Sequence, residues 1–193
     1  NQVAFLIDGV YVQDPFLGTF ANDLGTNAIK ELTLLSGTFN AEYGNAMSGI
    51  VNILTREGGR SWRARLESRA GSFENSDKNK AEGTLTSWSL GGPLVGEDLR
   101  LFVSGQLTDK NSYLPWGFKA SNSYTAKITY SGISNIKINT LYRSSRRSYK
   151  YYSHSWKYIP EQYYHYKSAR QHLNLNLSHT LNSHLFYELR ISQ

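Results

Sequence analysis

Residues 36–59 read SGTFNAEYGNAMSGIVNILTREGG. Small residues, one carboxylate and one tyrosine lead there into an alternating apolar run that stops on paired glycines. No nucleophile, base and acid stand in it at catalytic spacing, and its glycines do not form the phosphate-cradling pattern that precedes a helix. The segment therefore reads as architecture before chemistry. GIVNILT, residues 49–55, predicts a strand closed by Gly58 and Gly59. Upstream, VAFLIDGVYV (3–12) predicts β structure turning at Asp8 and Gly9, and NAIKELTLL (27–35) predicts a helix cap at Asn27 running into a β-like segment. Up to about Gly59 the chain reads as a small α/β unit.

Downstream of Trp62 the texture becomes a period-two alternation, the mark of strands with unlike faces. Seven strands are predicted, near 63–71, 82–91, 99–109, 124–131, 135–143, 171–178 and 185–192. In QHLNLNLS, Leu173, Leu175 and Leu177 oppose His172, Asn174, Asn176 and Ser178. In YTAKITYS, Tyr124, Ala126, Ile128 and Tyr130 oppose Thr125, Lys127, Thr129 and Ser131. The joins alternate as well. LGGPLVGED, SGIS and TLNS are short, whereas SFENSDKNK, DKNSYLPWGFKASN and the segment from about 145 to 168 are longer and more polar or aromatic. A soluble sandwich has no reason to sort its hairpins by length. An outer-membrane barrel has short periplasmic turns, longer extracellular loops, apolar residues toward lipid and polar ones toward the lumen.

Composition agrees without deciding. The 193 residues are 39% hydrophobic with a mean hydropathy of −0.49, and no apolar run approaches the roughly 18 residues of a spanning helix. Strands that alternate leave the membrane question open. The absence of cysteine removes disulfides and thiolate metal sites. The opening NQVAFLIDGV starts inside an apolar run, which reads as a piece of something longer. The net charge of +6 is uneven: Lys110 to Pro160 holds no Asp or Glu but carries Lys110, Lys119, Lys127, Lys137, Arg143, Arg146, Arg147, Lys150 and Lys157 among many aromatics. That block suits polyanions through phosphate contacts and stacking, or anionic head groups with interfacial Tyr and Trp. Among the histidines, His172 and His179 are an odd number of residues apart, so one strand points them to opposite faces and they cannot share an ion. No metal site, cofactor or catalytic group is expected.

AFLIDGV (4–10) and the 36–59 run, followed by alternating strands and SLGGPLVGEDLRLF (89–102), resemble the plug domain and first barrel strands of TonB-dependent outer-membrane receptors, most closely the Oar-like subgroup. The resemblance implies a mainly β protein. Residues 1–59 would be the C-terminal part of a plug, and residues 60–193 the N-terminal strands of an antiparallel transmembrane barrel left incomplete at about seven strands. Asp8, Gly9, Gly37, Glu42, Tyr43, Gly44, Gly49 and Asn52 would form the plug signature. Gly37, Gly44 and Gly49 would let backbone turn or approach the wall, Glu42 and Tyr43 would anchor a short helical turn, and Val51 and Ile53 would face the plug core opposite Asn52. Many family members place an Arg-Gly pair where this chain has Ser36-Gly37, so this chain lacks the arginine that makes a plug-to-barrel contact in them, and Glu42 is open to another partner. Arg146, Arg147, Tyr151, Tyr152, Trp156 and Tyr158 stand out as an extracellular contact surface. The implied role is TonB-dependent import across the outer membrane of a Gram-negative cell, without enzymatic activity. The implied partners are TonB, met through a segment N-terminal to the plug and missing here, outer-membrane lipid and lipopolysaccharide, and an unknown substrate, with no nucleic acid. An adhesin or secretion-linked receptor of the same build fits these residues too. So, less well, does a soluble polyanion-binding β module.

Overall fold

The computed structural model describes residues 3–12, 24–36, 49–74 and 80–193. Four strands, β1 (Val3–Ile7), β2 (Val10–Tyr11), β3 (Ile29–Leu35) and β4 (Gly49–Thr55), form one sheet in the order β2-β1-β4-β3. β1 and β4 run parallel, with Ile7 beside Ile53 and Phe5 beside Val51, whereas β3 returns antiparallel to β4. Asp8 and Gly9 make the β1–β2 turn with φ of +48° and +78°. Such paired positive φ values suit the right-handed twist of a two-residue hairpin and select Asp-Gly for it.

Among the described residues of this unit there is no α-helix. Thr26–Ala28 forms a single 3-10 turn with Gly25, not Asn27, at its cap position. The Asn27 side chain is committed elsewhere, donating from Nδ2 to the carbonyls of Trp88 (2.6 Å) and Gly105 (3.2 Å) in the second sheet.

That second sheet is a seven-stranded antiparallel meander: β5 (Arg63–Glu74), β6 (Lys80–Val95), β7 (Leu99–Asn111), β8 (Phe118–Ile133), β9 (Ile136–Lys150), β10 (Tyr166–Asn182) and β11 (Leu185–Ser192). All seven predicted strands are present, several of them longer than the alternation alone marks, and the sheet is not closed. Short joins fall at one end, residues 96–98, 134–135 and 183–184, and the longer joins 112–117 and 151–165 at the other. Lateral pairing runs in register from Ser104 through Thr125, Arg143 and His172, so parity along each strand sorts side chains to one face for the whole sheet.

The four-stranded sheet lies against the polar face. Ile7, Val12, Ile53 and, from β9, Leu141 form a buried apolar cluster, with Phe5 and Val51 packed on it. Val51 and Ile53 thus do share a packed face. Ala4, Leu6 and Ile50 make a second cluster. Around Leu141 the covered face is hydrophilic: Ser87, Ser104, Ser123, Thr125, Lys127, Thr129, Arg143 and Asn174 are all buried. The opposite face is apolar and open, with Leu66, Ile128, Tyr142, Leu173, Leu175, Leu189 and Ile191 exposed. A protein dissolved in water arranges its faces the other way round, and a contiguous exposed apolar face of this kind marks a membrane or partner surface.

The crossing from one sheet to the other, residues 56–62, is held tightly. A Cβ at Gly58 would stand 2.5 Å from the Leu101 carbonyl oxygen and 2.9 Å from that of Gly92. Only glycine lets the backbone come so near the β6–β7 pair.

Candidate functional site

The chemistry of the seam between the sheets begins at the β1–β2 turn. Asp8 accepts the Thr55 backbone N–H at Oδ1 (2.9 Å) and the Thr55 hydroxyl at Oδ2 (2.6 Å), which ties the turn to the end of β4. From the wall, Lys127 on β8 donates to Asp8 Oδ2 (3.1 Å) and Thr55 Oγ1 (3.2 Å). Its Nζ also stands 3.5 Å from Glu57 Oε1. Glu57, just past β4, accepts from Lys137 Nζ at both carboxylate oxygens (2.9 Å each). The result is a chain of alternating charge, Lys137, Glu57, Lys127 and Asp8, with both carboxylates on the first unit and both lysines on the seven-stranded wall. Lys127 is only 4% exposed, so its ammonium is out of water and depends on these partners. Burial acts to raise the Glu57 pKa, but the Lys137 hydrogen bond and the charges of Lys127 and Lys137 outweigh it and hold that carboxyl below its ordinary value.

Arg143 on β9, 2% exposed, adds a further positive charge to the same face. Among the described residues its guanidinium nitrogens have no hydrogen-bond partner, and Asp8 is the acid whose field reaches it. Beside these groups lies a cavity of about 350 Å³, bounded by Asp8, Asn52, Glu57, Lys127, Asn174 and Arg190, among others. Asn52 Oδ1, Asn174 Nδ2 and Asn176 Oδ1 are buried without a partner among the described residues. Such polar, roomy surroundings suit bridging water. Arg190 on β11, paired with Glu188, donates to the Gly9 carbonyl (3.3 Å) and closes the far side. On the other flank, Thr26 reaches Gln106 of β7 with its N–H and its hydroxyl (3.2 Å each).

The expected signature residues are distributed as follows. Asp8 and Gly9 sit at the centre of the seam, and Asn52 borders the cavity. Gly49 is buried beside Leu35 of its own sheet, not against the wall. Gly37, Glu42, Tyr43 and Gly44 lie outside the described residues. Glu57, Lys127, Lys137 and Asn27 are contacts that sequence reasoning did not find; the odd cation among Thr and Ala on β8 was the available signal for Lys127.

The long-join residues do not converge on one point. Arg146 and Arg147 alternate to opposite faces of β9. Tyr151 and Tyr152 follow the strand, with the Tyr152 hydroxyl 3.1 Å from His154 Nδ1. Trp156 closes a 3-10 turn and packs near Tyr163, with ring centroids 5.9 Å apart. Tyr158 projects into solvent with Lys157 over its ring. Below them Tyr149 and Tyr166 stack at 4.9 Å. His172 and His179 do face opposite sides. Among the described residues no three His, Asp or Glu side chains gather as a metal site, and no helix is long and apolar enough to cross a membrane, which says nothing of a strand-built barrel.

A meander that is polar where a second sheet covers it and apolar where nothing does has the two unlike faces expected of outer-membrane β-barrel strands. Known proteins resemble it. No protein-family model matches the chain, but it is 24% identical over 114 residues to the TonB-dependent transporter Oar of Myxococcus xanthus, covering 51% of this chain and 11% of that one. It is 30% identical over 126 residues to the ferrienterobactin receptor of Escherichia coli K12, covering 60% and 16%. In fold it superposes on the crystal structure of the siderophore receptor PirA from Acinetobacter baumannii with a TM-score of 0.80 at 15% identity, over 99% of this chain and 31% of that one. The chain is thus similar, in sequence and in fold, to TonB-dependent receptors of the Gram-negative outer membrane. It spans between about a tenth and a sixth of the length of those two curated relatives.

Proposed function

We propose that this chain belongs to a TonB-dependent importer, with residues 1–59 forming the C-terminal part of its plug and residues 60–193 the first strands of its barrel. The observation that carries the reading is the charged seam: carboxylates of the first unit, Asp8 and Glu57, meet lysines on the covered face of the wall, Lys127 and Lys137. A plug must stay docked while the gate is closed and yet move when energy arrives. Polar contacts and a wet cavity allow that, because water can replace them one at a time, whereas a continuous apolar seam would expose greasy surface on release. Substrate would enter from the side of the longer joins, and TonB would act from the side of the short turns. Arg147, Tyr151, Tyr152, Trp156 and Tyr158 would meet substrate or the outer surface there, and Gly37, Glu42, Tyr43 and Gly44 would complete the plug signature.

The test needs no knowledge of the substrate. Removing residues 3–58 from the full-length protein is expected to leave a barrel with heat-modifiable gel mobility and to make cells sensitive to a large antibiotic such as vancomycin, since the lumen is then open. A correctly assembled barrel with unchanged permeability would refute the plug assignment.

A further inference from the structure

The outward face of the wall changes character near the long joins. Register pairs Asn122 with Arg146 and Arg146 with Ala169, and it pairs Ala120 with Ser148 and Ser148 with Lys167. All six have the parity of Tyr142, Leu173 and Leu175, so they point away from the seam. Between them lies a groove of about 490 Å³ whose floor is small, Ala120, Ser148 and Ala169, and whose flanks are Asn122, Arg146 and Lys167; Ser121, Arg147 and Ser168 also border it, but their strand parity turns their side chains inward. Arg146 and Lys167 are diagonal neighbours, within joint reach of one anion. Among the described residues neither side chain makes a hydrogen bond or ion pair. Asp109, a carboxylate on the same face, is two strands from Arg146, on β7.

Depth narrows the ligand. Arg146 lies four residues beyond Tyr142, and Lys167 six residues before Leu173, which at about 3.3 Å per residue is roughly 13 and 20 Å along the strands. Barrel strands tilt by about 35–45°, so the pair stands on the order of 10–15 Å above Tyr142 and Leu173, which is head-group level when Leu175 lies near the bilayer midplane and hydrocarbon extends about 15 Å from it. Acyl chains would then lie on Tyr142, Leu173 and Leu175, and a sugar phosphate would reach the cations. Guanidinium presents two donors to one phosphate, and the ammonium adds a point charge.

We infer that Arg146 and Lys167 form a binding site for the phosphorylated glucosamine head group of lipid A on the outward face of β9 and β10. This rests on the outer-membrane reading and names the partner on that face. Parity makes it sharp, because Arg147, the next residue, faces inward and should take no part.

The test uses the full-length protein in nanodiscs and measures the affinity of fluorescent bisphosphorylated lipid A and of its dephosphorylated form. Arg146→Gln with Lys167→Gln is expected to weaken bisphosphorylated lipid A about tenfold and to leave the dephosphorylated form unchanged, and Arg147→Gln is expected to change neither. Millimolar inorganic phosphate should displace little of the lipid. A double variant within twofold of the parent, equal weakening by Arg147→Gln, or full displacement by inorganic phosphate would each overturn the inference. Heat-modifiable mobility separates the levels: a folded barrel indifferent to these charges sinks this site alone, whereas a chain that never forms a heat-modifiable barrel removes the membrane reading and this site with it.

Discussion

The two faces of β8, β9 and β10 are made by the same strands, one residue out of step, and they live in different solvents. Inward, Lys127 is 4% exposed and held by Asp8 and Thr55. Outward, its neighbour Ile128 is 42% exposed with nothing covering it. Buried means polar and exposed means apolar, so hydrophobicity has ceased to say what is inside. The inner face is held by a few specific pairings, which fail sharply when one partner is lost. The outer face is held by its general character, which tolerates any apolar residue and rejects charge.

Four tests break or sharpen that contrast. The largest effect is expected from Lys127→Met, which takes from Asp8 its ammonium partner and leaves it facing an apolar side chain. Breaking one side of a buried pair costs about 3–5 kcal/mol, and urea titration of the docked first unit in the full-length protein would read it. The conservative outward change Ile128→Leu, one residue away, should be almost silent. Next, Leu175→Arg should cost about 2–4 kcal/mol of barrel stability if it lies near the bilayer midplane. Asn176→Arg, which faces the cavity of about 350 Å³, should cost less, and heat-modifiable mobility compares the two. Gly58→Ala comes third. Its Cβ would press on backbone of β6 and β7 and not on a flexible side chain, so about 1–3 kcal/mol of overpacking strain is expected, seen as a lower urea midpoint for undocking.

The smallest effect is one of pH. Glu57 has its pKa held down in the folded state, so its contribution is complete above the ordinary carboxylate value and is lost as pH falls through the lowered one. Docking should therefore hold from neutral pH into the mildly acidic range and weaken beyond it. Glu57→Gln should weaken docking at neutral pH and flatten the part of the acid response that belongs to this group.

Much of this was legible in the chain. The period-two pattern marked every strand of the wall and the side to which Leu173, Leu175 and Leu177 turn, because parity is set by covalent geometry alone. Asp8-Gly9 announced its turn because few residue pairs accept positive φ twice in succession. The seam was not legible. Asp8 reads locally as an ordinary turn residue, and its bond to Lys127 joins positions 119 residues apart. Asn27 looked like a helix cap because the same amide that caps a helix also suits two carbonyls of a neighbouring sheet. Glu57 carried no signal, since its meaning depends on Lys127 and Lys137 arriving on adjacent strands.

The central claim, that one strand separates lipid from a covered lumen residue by residue, is open to a single measurement. Cysteines placed one at a time from His172 to Leu177 in the full-length protein, labelled with a small environment-sensitive fluorophore and reconstituted in bilayers containing brominated lipid, report contact with acyl chains through quenching. Strong quenching at 173, 175 and 177 with little at 172, 174 and 176 is the predicted result. Uniform quenching, or its absence at every position, would contradict the account.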